Sequence, residues 1–152
     1  MKERSLIRLG AIAERFGSRI LEAEAARNAA PESFFPAFEQ AKQAVILPVF
    51  RETAQEIERL GHRAAVVVDD SNPERPSVTL RLFLTSLRPA GHRVAFLVID
   101  RGKGLQVLAC LEATAIVTDI ARYTPAELTR DVVEQVTVDA VEHIFSCVAE
   151  LR

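Results

Sequence analysis

Five short apolar segments lie between His62 and Tyr123, and no connection between them is long enough to hold a helix. They are Arg63–Asp70, centred on Val66-Val67-Val68; Ser77–Thr85, alternating Val78, Leu80, Leu82 and Leu84 with Thr79, Arg81, Phe83 and Thr85; Arg93–Asp100; Leu105–Glu112; and Thr114–Arg122. Composition of this kind reads as strand. Turn-forming residues fill the longer joins: Ser71-Asn72-Pro73-Glu74-Arg75-Pro76, Arg88-Pro89-Ala90-Gly91 and Arg101-Gly102-Lys103-Gly104. Parallel neighbours need a crossover of a dozen or more residues, so consecutive strands are expected to pair antiparallel as a meander. The break at Glu112-Ala113 is the least marked, and one long bent strand is the alternative there. Segments one and three lack polar alternation and are expected to be covered on both faces, while the alternating second segment suits an edge or a half-exposed position.

Helical periodicity brackets this sheet. Leu6, Leu9, Ala13, Phe16, Ile20 and Ala23 draw one apolar stripe along a first helix, with most of the charges elsewhere. At about three heptads the seam is short for an independent coiled coil, and packing within the fold is the expectation. Asn28-Ala29-Ala30-Pro31-Glu32-Ser33 supplies turn chemistry, and a second helical pattern runs from about Phe35 to Leu60, where Gly61 closes it. The two patterns read as a helical hairpin. Pro48 lies inside the second and predicts a kink near Ala44, where the stripe changes phase from Phe34, Phe38, Ala41 and Val45 to Ile46, Phe50, Ile57 and Leu60.

Tyr123-Thr124-Pro125-Ala126-Glu127-Leu128 joins a capping box, a first-turn proline and a hydrophobic staple, which predicts one long helix from Thr124 to Leu151. Its apolar residues, among them Leu128, Val132, Val136, Val138, Val141, Ile144, Phe145 and Val148, spread beyond one stripe and call for two sets of neighbours. The fold expected over residues 1–152 is a single α+β domain: a helical hairpin (1–61), an antiparallel five-stranded sheet (62–122) and a C-terminal helix (124–151).

Composition narrows the function classes. A formal net charge of −2 removes the general attraction that nucleic-acid binders carry, and 6% aromatic residues without Trp argue against stacking platforms. No apolar run approaches the ~20 residues of a membrane helix, and Arg8, Glu14 and Arg15 break any secretory pattern, so a cytoplasmic protein without membrane or nucleic-acid partners is expected. Lys2, Arg4 and Arg8 read as a solvated helix face, since Glu3 and Glu14 interrupt them. Cys110 and Cys147 form no ligand pattern and read as reduced, packed thiols.

Each candidate for chemistry has a plainer competitor. Asp69, Asp70, Asp100 and Asp119 place acids at or near the ends of strands one, three and five, an arrangement suited to a divalent cation; but alternate strands lie ~10 Å apart, and aspartate also starts turns for local reasons. Asp100-Arg101-Gly102-Lys103-Gly104 resembles a phosphate loop only in composition, because a strand rather than a helix follows it. Arg101 and Lys103 are left as a solvated loop tip in preference to an anion contact. His62 and His92 belong to the rim opposite Asp70 and Asp100. Asp139 and His143 are spaced for a one-turn pair, and His143 and Cys147 for a dyad, though an apolar setting would raise the thiol pKa rather than activate it. Phe34, Phe38, Ile46, Val49 and Phe50 surround the kink and are the candidate lining of an apolar ligand pocket, with ordinary core as the plainer reading. No catalytic residue, metal or cofactor is expected. The leading functional expectation is a non-enzymatic binding or adaptor module working as a homodimer through apolar helix surfaces; a small apolar-ligand carrier with a pocket near Pro48 is the alternative, and a metal-dependent enzyme using the acidic rim is third.

Overall fold

The computed structural model describes residues 2–84, 91–100, 102 and 104–150, with the backbone alone for Ser18 and residues 20–31. Five strands form one antiparallel meander in the order β1-β2-β3-β4-β5: β1 (Arg63–Asp69), β2 (Ser77–Phe83), β3 (Arg93–Asp100), β4 (Leu105–Ala113) and β5 (Ile116–Tyr123). The chain thus has the α+β class and sheet that connection lengths predicted. The uncertain break near Glu112-Ala113 is a two-residue turn, with Thr114 at φ 53° and Ala115 at φ 67°. Both values lie in the left-handed region that twist-matched hairpin turns demand and that Asn-Gly satisfies with less strain. The buried His92 accepts the Thr114 N–H at Nδ1 (3.3 Å), which ties this turn to the start of β3.

One strand position differs from expectation. β1 is an edge strand, and Val67 and Val68, which point to opposite faces near its end, are 41% and 40% exposed. β2 is interior rather than an edge and takes the half-exposed position expected of it: its alternation separates buried Val78, Leu80 and Leu82 from a more open face that carries Arg81. Thr85 lies outside the described residues.

The expected hairpin at the N-terminus is absent. One helix, α1 (Glu3–Ala41), runs through Asn28–Ser33 and continues through a π-helical turn, Lys42–Ile46, into α2 (Leu47–Arg59). A turn signal only makes a turn inexpensive, and here Ala23, Ala25, Ala26, Ala29 and Ala30 favour helix more strongly. The irregularity sits instead in the turn before Pro48, whereas Pro31 and Pro36 lie within α1. Proline cannot donate to the carbonyl four residues back, and its ring crowds that carbonyl. The widened turn absorbs both problems: the Leu47 N–H donates to the Lys42 carbonyl, a five-residue step. The extra residue rotates the buried stripe, which passes from Phe34, Phe38 and Ala41 to Ile46, Leu47, Phe50, Ala54 and Ile57. Leu60, placed in that stripe by periodicity, is 61% exposed at the helix end. There His62 N–H donates to Ile57 O and Gly61 N–H to Glu58 O, with Gly61 at φ 97°, a Schellman ending.

The C-terminal helix also starts later than its cap foretold. The Thr124–Glu127 capping box forms, but it opens only a 3₁₀ turn (Pro125–Glu127). Buried Leu128 leaves helical geometry at ψ 66°, and a second cap at Thr129 starts α3 (Arg130–Glu150): the Val132 N–H donates to its hydroxyl at 3.3 Å. α3 packs over β3 and β4, and α2 over β1 and β2, with contacts between α2 and α3. Phe50, Phe96, Val133, Ile144 and their neighbours form one continuous core between the helices and this sheet face. Ala95, Ile99, Leu108 and Cys110, with Leu97, form a smaller cluster on the opposite face.

Candidate interaction surface

The residues named for an apolar ligand are brought together. Phe34, Phe38, Ile46, Val49 and Phe50 all belong to the main core, none more than 7% exposed, and Phe50 lies against Phe96 with ring centroids 5.8 Å apart.

The acidic set does not converge. Asp69 accepts the Ser71 N–H (3.0 Å) and the Ser71 hydroxyl in a local turn, and these bonds hold its carboxyl below the usual range. Asp70 faces Lys42, Asp100 accepts the Gly102 N–H at 3.2 Å, and Asp119 stands opposite Cys110 within the β4–β5 ladder. Among the described residues no three His, Cys, Asp or Glu side chains are grouped to hold a metal. Arg101 and Lys103 lie outside the described residues.

The histidines have structural neighbours. His92 holds the Thr114 turn, and His62 meets Phe145 edge-on at 5.4 Å, joining the end of α2 to α3. Asp139 accepts from Gln135 Nε2 at 2.8 Å, so the anticipated Asp139–His143 pair is replaced by a different one-turn bond. Cys147 Sγ lies 3.5 Å from His143 Nε2, but His143 is exposed rather than set among the apolar residues of α3. Burial raises the Cys110 thiol.

One charged group escaped the sequence reading. Lys42, in the π turn, is 2% exposed, with Nζ 2.5 Å from Glu39 and 3.3 Å from Asp70, whose side chains are 53% and 60% exposed. Burial alone would lower its pKa; the bonds to Glu39 and Asp70 outweigh that and raise it. Paired and protonated, the amine is a clasp between helix and the end of β1 rather than a nucleophile. A polar residue on an apolar helix face was the available signal.

The longest run of uncovered residues is at the start of the chain, although the edge strand β5 also leaves Ile116 (67%), Val117 (55%) and Ile120 (38%) open. Every residue from Lys2 to Phe16 is exposed, including Leu6 (56%), Ile7 (67%), Leu9 (52%), Ile12 (45%) and Phe16 (40%). An ideal Cβ built on Gly10 or Gly17 meets nothing within 4 Å. Arg15 lies over the Phe16 ring at 5.2 Å, which shields part of it. By contrast α3, expected to need a partner, spends its breadth inside the fold: Val133, Val136, Ala140 and Ile144 are buried, and Val138 is its large apolar residue left open. Leu151 lies outside the described residues. Among the described residues no helix is long and apolar enough to cross a membrane. Comparison with protein-family models, curated proteins and solved structures returned no match.

Proposed function

We propose that the protein is a non-enzymatic binding or adaptor module of the cytoplasm that works as a homodimer, with α1 as the element that joins the copies. The observation that carries this reading is the apolar stripe of Leu6, Leu9, Ile12 and Phe16 on a helix whose first four turns are exposed throughout. A helix polar all round is at home in water, but one with a continuous apolar stripe and no cover favours association. The local partners of Asp69, Asp70 and Asp100 and the structural bonds of His62 and His92 support a binding role over chemistry.

Sedimentation equilibrium at micromolar concentration tests it. The native chain is expected to sediment as a dimer, and Leu9→Asp as a folded monomer with unchanged sheet signal by circular dichroism. A native chain that stays monomeric throughout that range refutes the reading.

A further inference from the structure

We infer that the second copy lies parallel to the first and in register along α1; this rests on the homodimer proposed above and goes further by fixing its geometry. At 3.6 residues per turn, exposed Arg4, Arg8, Arg15 and Arg19 fall within a sector of about 60° along one border of the stripe. Glu3 and Glu14, also exposed, lie beyond the other border, and between them and the stripe come Gly10 and Gly17. The helix is therefore electrically two-sided: basic on one flank, acidic on the other.

This asymmetry discriminates between pairings. Side by side and antiparallel, two such helices bring like flanks together, arginine row against arginine row. Side by side and parallel, each basic flank meets the other copy's acidic flank, and like charges are kept apart. Gly10 and Gly17 add a steric reason. Glu14 is one turn from each, so an arginine reaching across the seam from position 8 crosses bare backbone to arrive at the carboxylate.

The stripe supplies most of the area that a specific contact needs. The four large apolar side chains of the stripe, Leu6, Leu9, Ile12 and Phe16, 40–56% exposed, present on the order of 400 Å² per copy, so a pair removes at most about 800 Å², and the rest of the roughly 1,000 Å² of a stable interface has to come from outside the stripe. The parallel arrangement also sets both folded bodies at the same end, where they extend the contact.

Disulfide trapping tests the geometry. Ser5 shares the stripe, and Ser5→Cys in a Cys110→Ser/Cys147→Ser background is expected to oxidise to a covalent dimer in near-complete yield. An antiparallel pair would place residue 5 against residue 19, so mixing Ser5→Cys with Arg19→Cys chains and finding only the mixed disulfide overturns the inference while leaving the homodimer intact. A chain that remains monomeric by sedimentation, or that binds anionic phospholipid vesicles as a monomer, overturns both. As a second measurement, Glu14→Arg is expected to weaken association roughly fivefold at low salt, and adding Arg8→Glu to the same chain to restore it. Failure of that rescue in a folded dimer also counts against parallel pairing.

Discussion

The buried ammonium of Lys42 and its two carboxylates should respond unequally to substitution, because burial is shared unequally among them. Lys42 is 2% exposed, whereas the Glu39 and Asp70 side chains are 53% and 60% exposed. In Lys42→Met, both acids return to water, the apolar stem is replaced in kind, and no charge is stranded; the expected change is within about 1 kcal/mol in either direction. In Glu39→Gln/Asp70→Asn, the ammonium stays in the fold without a counter-charge, a situation that costs about 3–5 kcal/mol. For a domain of this size that is a fall in Tm of roughly 10–15 °C. Urea denaturation checks the contrast, with the slope unchanged and only the midpoint moving. A Lys42→Met chain less stable than the double carboxylate variant would refute the reasoning.

The same cluster sets a pH dependence whose sign can be worked out. The hydrogen bond from Lys42 leads in holding the Glu39 carboxyl below its ordinary range. A depressed carboxyl pKa contributes stability above its unfolded value, and that contribution is lost as pH falls through the folded one. For Lys42 the net shift is upward, so its contribution is present below the unfolded lysine value and is lost as pH rises through the folded one. Exposure of Glu39 makes the acid limb shallow. Stability of the native chain minus that of Lys42→Met, plotted against pH, should therefore form a plateau that declines at both ends.

Two further outcomes concern the backbone. Ala115→Gly should raise stability by about 0.5–1 kcal/mol, since the residue at φ 67° gains a conformation glycine adopts freely; a lower denaturation midpoint would mean that the turn is not left-handed there. Gly10→Ala and Gly17→Ala, where a Cβ meets nothing within 4 Å, should each steady the first half of α1 by about 0.5–1 kcal/mol, seen as slower amide exchange in that segment with the global midpoint unmoved.

What the sequence made legible was whatever local chemistry decides. The strands were readable because each is bounded by residues that cannot continue it, and the meander because no join can cross over. Pro48 announced the break in the long helix for the same reason, since its missing donor and its ring act on the turn just before it. Where two local signals compete, the outcome was less readable. The Thr124 box is real, yet Thr129 offers a second cap five residues on, and burying Leu128 between them chooses the later start. At Asn28–Ser33 turn residues and alanines point in opposite directions, and helix on both sides decides for continuation.

The candidate surface illustrates a different limit. Leu6, Leu9, Ala13 and Phe16 begin a three-and-four spacing that, extended down α1, reaches Phe34, which is 7% exposed in the core, while Phe16 is 40% exposed. Periodicity states which side chains share a face; it is silent on what lies against that face. The wide apolar side of α3 and the narrow stripe of α1 therefore exchanged roles between sequence and structure. α3 has sheet and helices close by, so its breadth is absorbed within one copy, whereas the start of α1 leaves a smaller number of apolar groups 40–67% exposed. Which apolar groups stay open follows from the neighbours a helix has rather than from how apolar it is. Along α1 the open apolar groups are concentrated in residues 6–16, where arginines border the stripe on one side and Glu3 and Glu14 lie on the other.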